Sequence, residues 1–198
     1  MIVRPLAVVA ALLLGNAARA HHMDGGQMPA TLAAGLLSGL GHPIIGWDHL
    51  AFVVGVGILT AARPQGMAGT LAFVAGTLGG CLVHLARIDL PEAETAVGLS
   101  LVLLALAVAL GSRVGIAMTG ALAAAGLVHG YAYGESIVGA EPTPVVAYLV
   151  GFALCQLAIG CLVRWSWRQA TATGALRPTL EKVAAIVLWI AGMGALLA

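Results

Sequence analysis

Two short stretches of the sequence contain side chains of the types that can bind metal ions. The first holds His42, Asp48 and His49, and the second holds His129 and Tyr133, which are four residues apart and so share one face of a helix. Imidazole and carboxylate groups without a thiolate favour borderline divalent ions such as nickel, cobalt, zinc or copper, whereas magnesium and calcium prefer sites rich in oxygen. The residue types therefore predict a site for a divalent transition metal.

The rest of the chain is too apolar for a soluble protein. Of its 198 residues, 61% are hydrophobic and 9% are charged, and the mean hydropathy is +1.02. Soluble domains carry about a quarter charged residues, and disordered chains are polar. Nine Lys and Arg against eight Asp and Glu leave no basic field for a nucleic acid. The composition predicts an all-α polytopic bundle in a lipid bilayer, without a sizeable domain outside it.

The N-terminus has the features of a secretory signal peptide. A basic residue precedes an apolar run, and a small-x-small signal peptidase site ends at Ala20. Cleavage would remove residues 1–20 and place His21 and His22 at a mature N-terminus outside the cytoplasm. These two histidines either bind metal together with the free α-amine or form only a polar terminus. An uncleaved first span is the alternative to cleavage.

Apolar runs and helix breakers predict six membrane-spanning helices after the leader. An N-terminal segment outside the membrane, residues 21–42, precedes them and contains a short helix at 29–38. The transmembrane domain then occupies residues 43–198. The six spans are predicted at 43–62, 67–87, 93–111, 114–133, 144–164 and 179–197.

Charged residues orient these spans. With the mature N-terminus outside, five arginines fall in or next to inner loops and only Arg87 falls in an outer loop, as the positive-inside rule requires. Both termini then lie on the outer side. Most acidic residues also fall there, where they would concentrate cations. The inner arginines are Arg63, Arg113, Arg164, Arg168 and Arg177.

A helix break near Pro43 is predicted to bring the first ligands together. In one straight helix, His42 and His49 would share a face but stand about 10 Å apart along the axis, too far for one ion. Pro43 and the two glycines before it favour a break, after which His42 turns back toward Asp48 and His49.

Alternating span directions place three histidines, His49, His84 and His129, within two turns of the outer end. His84 is equally explained as an interfacial histidine.

Gln156, in the middle of the fifth span, is interpreted as an interhelical hydrogen-bond residue. Tyr148 and two tryptophans, Trp165 and Trp167, are interpreted as anchors at the membrane interface.

Small residues and cysteines indicate packing rather than chemistry. Glycines recur every fourth residue at Gly126, Gly130 and Gly134, a pattern typical of closely packed membrane helices. The three cysteines all lie in apolar runs and indicate neither a disulfide framework nor a CxxC metal site.

Together these features resemble the HupE/UreJ family of nickel permeases and accessory proteins. The resemblance rests on the His-x5-Asp-His stretch at 42–49, on His-Gly-Tyr-Ala-Tyr-Gly-Glu at 129–135, and on a leader followed by histidine and six spans. It implies uptake of Ni²⁺, or of Co²⁺, across the bacterial inner membrane, with both termini in the periplasm. It also implies a functional link to the maturation of nickel hydrogenases or ureases.

The second motif departs from the usual family form, His-Gly-x-Ala-His-Gly-x-Glu. Tyr133 stands at the second histidine, Ser136 stands at the glutamate, and Glu135 comes one place earlier. If Glu135 acts as a ligand, the site is more anionic; if Tyr133 only forms hydrogen bonds, His84 or a water completes the shell. The candidate metal ligands are His21, His22, His42, Asp48, His49, His84, His129 and Glu135, with Tyr133, Gly130 and Gly134 in support.

Other function classes remain as alternatives. A membrane metal chaperone or sensor would bind the ion without moving it, and a haem held between His49 and His129 would make a bis-histidine protein. An enzyme is not expected, because no HExxH motif occurs and no second acid stands beside the histidines. The sequence is compatible with a single copy or with a homo-oligomer.

Overall fold

The computed structural model describes residues 28–61, 63 and 65–198, which form an all-helical bundle. The predicted signal peptide, 1–20, and the candidate ligands His21 and His22 lie outside the described residues. The helices are α1 (Leu32–Ile45), α2 (Trp47–Ala61), α3 (Gly66–Leu85), α4 (Ala93–Ala109), α5 (Ile116–Gly134), α6 (Pro142–Ala170) and α7 (Arg177–Leu197), with a 3-10 turn at Glu135–Ile137.

Three helices, α3, α6 and α7, are long and apolar enough to cross a membrane. The pair α1 and α2 passes the same test together, although the two helices are bent by 77° at their junction. Helix α4 is apolar but shorter, with 17 residues. These findings confirm an all-α membrane bundle with a broken first helix, while the count of six spans stays a prediction.

The break in the first helix lies at Gly46, so its predicted position at Pro43 was wrong. Gly46 adopts an extended conformation with a ψ of 98°. Its N–H still donates to the His42 carbonyl oxygen at 3.2 Å, and its own carbonyl accepts the Leu50 N–H at 2.8 Å. A single glycine therefore ends α1 and begins α2.

Packing explains why α1 continues through Pro43, although proline cannot donate a hydrogen bond to the preceding turn. Gly35 and Gly39 on α1 lie directly against the backbone of α6, where an added Cβ would overlap the carbonyl oxygens of Pro144 and Tyr148. This close contact holds the helix across the residues that precede the proline. The predicted short helix at 29–38 is accordingly the first part of a longer helix that ends at Ile45.

Glycines also fix a second close pair, between α3 and α5. An added Cβ at Gly80 would overlap the Leu127 carbonyl oxygen, and one at Gly130 would overlap the Thr77 carbonyl oxygen. The predicted glycine spacing thus corresponds to direct contact between helix backbones. Because α5 carries His129 next to Gly130, this contact also sets the position of that histidine.

Arginines gather at the end of the bundle where α2 ends and α3 begins, which we call the arginine end. Arg164 donates to the Thr60 carbonyl oxygen at 2.6 Å, and Arg168 donates to the carbonyl oxygen of Ala61. These bonds satisfy carbonyls at the C-terminus of α2, where cations are favoured. Arg63 donates to the Ser112 carbonyl oxygen at 3.0 Å, and burial, then the nearby Arg177, lower the pKa of its guanidinium.

Candidate metal site

Three buried histidines meet at the other end of the bundle and form what we call the histidine cluster: His42 on α1, His49 on α2 and His129 on α5. The Nδ1 atoms of His49 and His129 are 2.9 Å apart. The ring centroids of His42 and His49 are 6.3 Å apart. Their exposed fractions are 4%, 1% and 0%, in chain order. The 77° bend at Gly46 therefore brings together two histidines that a straight helix would keep about 10 Å apart.

The hydrogen bonds of Ser100 determine which nitrogen of His129 carries a proton. The Ser100 hydroxyl donates to the Val97 carbonyl oxygen at 2.7 Å, so its oxygen is left to accept. His129 Nε2 lies 2.9 Å from that oxygen and must donate to it. In the neutral ring, His129 Nδ1 then has a lone pair and accepts the proton of His49 Nδ1.

A similar arrangement orients His42. The hydroxyls of Tyr148 and Ser136 both lie near the Tyr133 carbonyl oxygen, at 3.1 and 3.0 Å, and can donate to it. Their oxygens are then available to His42 Nδ1, which is 2.8 Å from Tyr148 and 3.2 Å from Ser136. When both hydroxyls donate to that carbonyl, His42 carries its proton on Nδ1 and its lone pair on Nε2.

Tyr133 fills the space between these histidines. Its ring centroid is 4.8 Å from that of His42 and 4.2 Å from that of His49. The side chain is fully buried, with an exposed fraction of 0%. Tyr133, which stands at the variant position of the motif at 129–135, is thus packed within the cluster. Its ring lies between the imidazoles of His42 and His49.

The structure does not bring every predicted ligand into the cluster. Asp48 is half-buried, and its Oδ1 accepts the backbone N–H of His49 at 2.9 Å. Glu135 is exposed, and His84 Nδ1 donates to the Tyr131 carbonyl oxygen at 2.8 Å. Across the described ranges, no group of three His, Cys, Asp or Glu side chains is placed to hold a metal ion. A metal ion held by the cluster would therefore require the imidazoles to move.

The supporting glycines act through packing. Gly130 lies against the Thr77 backbone, and an added Cβ at Gly134 would stand 2.6 Å from the Cβ of His84. Both glycines let α3 approach α5 at the level of the histidines. They support the cluster without contributing a polar group to it.

Sequence reasoning missed the partners that orient the histidines. Tyr148 was wrongly interpreted as an interfacial anchor; it is 0% exposed and bonds to His42. Ser100 and Ser136 were not recognised as histidine partners. Tyr148 lies one turn after the two prolines that begin α6, and a polar aromatic residue at that depth in a span was a signal that could have identified it.

One proton lies between the Nδ1 atoms of His49 and His129. A metal ion that bound both nitrogens would have to replace this proton. His129 Nε2 would keep the proton that it donates to Ser100, and His42 Nδ1 would keep the proton that it donates to Tyr148. Such hydrogen bonds usually orient the rings of metal-binding histidines. Phe52, whose ring centroid is 4.2 Å from that of His129, closes the cluster on the core side.

The chain is similar to a known protein family and to one named relative. A family profile described as HupE / UreJ protein matches residues 9–197. Protein HupE of Rhizobium leguminosarum bv. viciae is 30% identical over 169 residues, which cover 77% of this chain and 83% of that relative. No solved structure matches the chain. The matched range includes every residue of the histidine cluster.

Proposed function

The chain belongs to the HupE/UreJ family, and from this premise we propose that it carries Ni²⁺ across the bacterial inner membrane. The ion supplies nickel enzymes such as hydrogenase or urease, and Co²⁺ is a second substrate. The observation that supports this proposal most is the buried contact between His49 and His129, at 2.9 Å, with His42 beside it. Ionisable groups inside a membrane bundle are costly and are retained for function.

The ligand chemistry favours these ions. The cluster offers imidazole nitrogens and no thiolate, a donor set that suits nickel and cobalt better than magnesium or calcium. Its ring nitrogens come from α1, α2 and α5, so binding of one ion would join three helices. Such a site can respond to the ion by moving helices, as transport requires.

Charge gives the direction of transport. By the positive-inside rule, the arginine end faces the cytoplasm, so the histidine cluster lies toward the periplasm and both termini are periplasmic. Exposed carboxylates surround the histidine end and would attract cations before they reach the cluster. They are Asp89, Glu92, Glu94, Glu135 and Glu141.

Transport can be tested with purified protein in sealed liposomes. We expect radioactive nickel to accumulate inside vesicles that contain the protein, with a saturable rate, and not inside protein-free vesicles. A chaperone or sensor would bind nickel without accumulation in the lumen, and this result would refute transport. A Soret absorption band in the purified protein would instead favour a bis-histidine haem protein.

Tyr148→Phe tests how His42 is oriented. The change removes the hydroxyl oxygen that accepts the His42 Nδ1 proton, at 2.8 Å, but keeps the ring. We expect nickel affinity to fall by about tenfold or more, the usual cost of losing a group that orients a metal ligand. The measurement is nickel titration by calorimetry in detergent.

Tyr131→Phe is the matched control for this variant. The Tyr131 hydroxyl accepts the Leu90 N–H at 3.1 Å, outside the histidine cluster. The nickel affinity of the Tyr131→Phe variant should equal that of the wild type. Equal affinities for all three proteins would show that Tyr148 does not orient a metal ligand.

A further inference from the structure

Two arginines lie side by side at the arginine end without a carboxylate partner. Arg164 and Arg168 are about one helical turn apart on α6, and the Arg168 guanidinium repels that of Arg164. The described arginines form one ion pair, which joins Arg177 to Glu181 at 2.9 Å. Arg164 and Arg168 are thus two neighbouring positive charges that no described acidic side chain neutralises.

The burial of Arg164 makes this arrangement costly. In the part of the chain that the structure describes, Arg164 is the one arginine, lysine or carboxylate side chain that is buried, with an exposed fraction of 6%. A buried charge destabilises a protein unless a counter-charge is near. The C-terminus of α2, which both arginines contact, supplies only about half a negative charge. Most of the charge of the pair is therefore left without compensation.

Both arginines have hydrogen-bond donors to spare. A guanidinium has five N–H donors, and the contacts with α2 use only Nη1 of Arg164 and Nε of Arg168. The other nitrogens of Arg164 are not among the buried unpaired atoms of the described residues, so they reach the surface of the bundle. Arg168 is itself exposed. These donors are available to an anion at that surface.

The pair lies at the depth of lipid headgroups. Helix α6 has 29 residues and is about 43 Å long, whereas the hydrocarbon core of a bilayer is about 30 Å thick. Arg164 is about 33 Å along the helix axis from Pro142, where α6 begins at the histidine end. The next residue, Trp165, is 62% exposed, and tryptophan is enriched at the membrane interface. The anion that meets the pair at this depth is a lipid phosphate.

We propose that Arg164 and Arg168 bind the phosphate of an anionic phospholipid in the leaflet at the arginine end. The planar fork of arginine matches phosphate oxygens, and basic pockets between membrane helices are known to hold lipid headgroups. The bound lipid neutralises the pair and stabilises the contact between α6 and the end of α2. This inference goes beyond the proposed transport function and does not depend on it.

Helix capping and membrane orientation do not account for the pair. Capping of α2 occupies one nitrogen of each arginine and leaves both charges in place. The positive-inside rule requires basic residues at this end, but an exposed residue such as Arg113 meets that requirement without the cost of burial. A phosphate explains both the burial of Arg164 and the lack of an acidic partner.

The test is phospholipid binding to the full-length protein in a neutral detergent, followed by native mass spectrometry. We expect the wild type to retain one phosphatidylglycerol per chain and to bind phosphatidylcholine, whose headgroup has no net charge, at least about tenfold more weakly. Arg164→Gln and Arg168→Gln should each weaken phosphatidylglycerol binding by about tenfold or more, the usual effect of losing a hydrogen bond to a charged group. Arg113→Gln, which removes the same charge at the same end, should bind phosphatidylglycerol like the wild type.

The thermal unfolding midpoint gives a second readout. Phosphatidylglycerol should raise the midpoint of the wild type and of Arg113→Gln, because a ligand that binds the folded state stabilises it, and should raise that of the two pair variants much less. Inorganic phosphate should not raise the wild-type midpoint. If Arg164→Gln does not yield folded protein, Arg168→Gln carries the test, since Arg168 is exposed.

Each contrary outcome overturns the inference. Equal affinity of phosphatidylglycerol for the wild type, Arg168→Gln and Arg113→Gln would show that the pair does not hold the headgroup. Equal affinity of the wild type for phosphatidylglycerol and phosphatidylcholine would show that no anionic lipid is selected. Stabilisation by inorganic phosphate without selective lipid binding would assign the pair to a free anion. None of these measurements uses nickel, so a failure of the transport proposal would remain distinguishable.

Discussion

The His49→Ala variant is expected to lose nickel uptake and to bind nickel more than about a hundredfold more weakly than the wild type, because a direct ligand matters more than the groups that orient it. His49 is the central member of the cluster. Its Nδ1 is 2.9 Å from that of His129, and its ring centroid is 6.3 Å from that of His42. Without His49, the two remaining imidazoles are not bridged. Calorimetry in detergent and uptake in liposomes measure the two effects.

His84→Ala is the matched control for His49→Ala. His84 is on the same side of the bundle, but its ring contacts Tyr131, and its Nδ1 donates to the Tyr131 carbonyl oxygen. The control should keep nickel affinity and uptake close to the wild-type values. Equal losses in both variants would show that nickel binding does not depend on the histidine cluster in particular.

The second large effect is expected in stability, from Gly80→Ala. A Cβ at this position would overlap the Leu127 carbonyl oxygen, so α3 and α5 would have to separate. We expect the free energy of unfolding to fall by about 1–3 kcal/mol, the usual cost of inserting a methyl group into a packed interior. Separation of these helices would also move His129, so nickel affinity should fall with stability.

Gly79→Ala provides an internal control on the same helix. A Cβ at Gly79 meets no atom within 4 Å. Because alanine also favours the helix more than glycine does, this variant should be at least as stable as the wild type. The thermal unfolding midpoint in detergent measures both variants. If Gly80→Ala is as stable as Gly79→Ala, the close contact of α3 and α5 does not contribute to the stability of the protein.

The sequence predicted the class of fold, because apolar runs and their breakers depend on local composition. It also predicted that the first helix is broken, but placed the break at Pro43. A proline marks a weak position in a helix, yet whether the chain bends there depends on packing from distant residues. Here, Gly35 and Gly39 pack against α6, and α1 continues to Ile45. That contact joins residues that are far apart in sequence.

The predicted set of site residues differed from the set that the structure brings together for the same reason, because side-chain contacts join residues that are far apart in sequence. Residue type and depth singled out His49 and His129, and the predicted helix break added His42; these three histidines meet in the bundle. The depth of a residue in its predicted span could not distinguish these histidines from His84, because depth does not show which way a side chain points. Position in the second motif did not determine the role of Glu135 and Ser136 either. A short 3-10 turn exposes the first and turns the second toward His42.

Anomalous X-ray scattering at the nickel edge, from crystals of the protein grown with nickel, tests the central claim most directly. We predict one strong peak at about 2 Å from nitrogens of His49 and His129, the usual distance between an imidazole nitrogen and a metal ion, with His42 as a further ligand. A peak at His84 or at the surface carboxylates, with the hydrogen bond between His49 and His129 still in place, would contradict the claim.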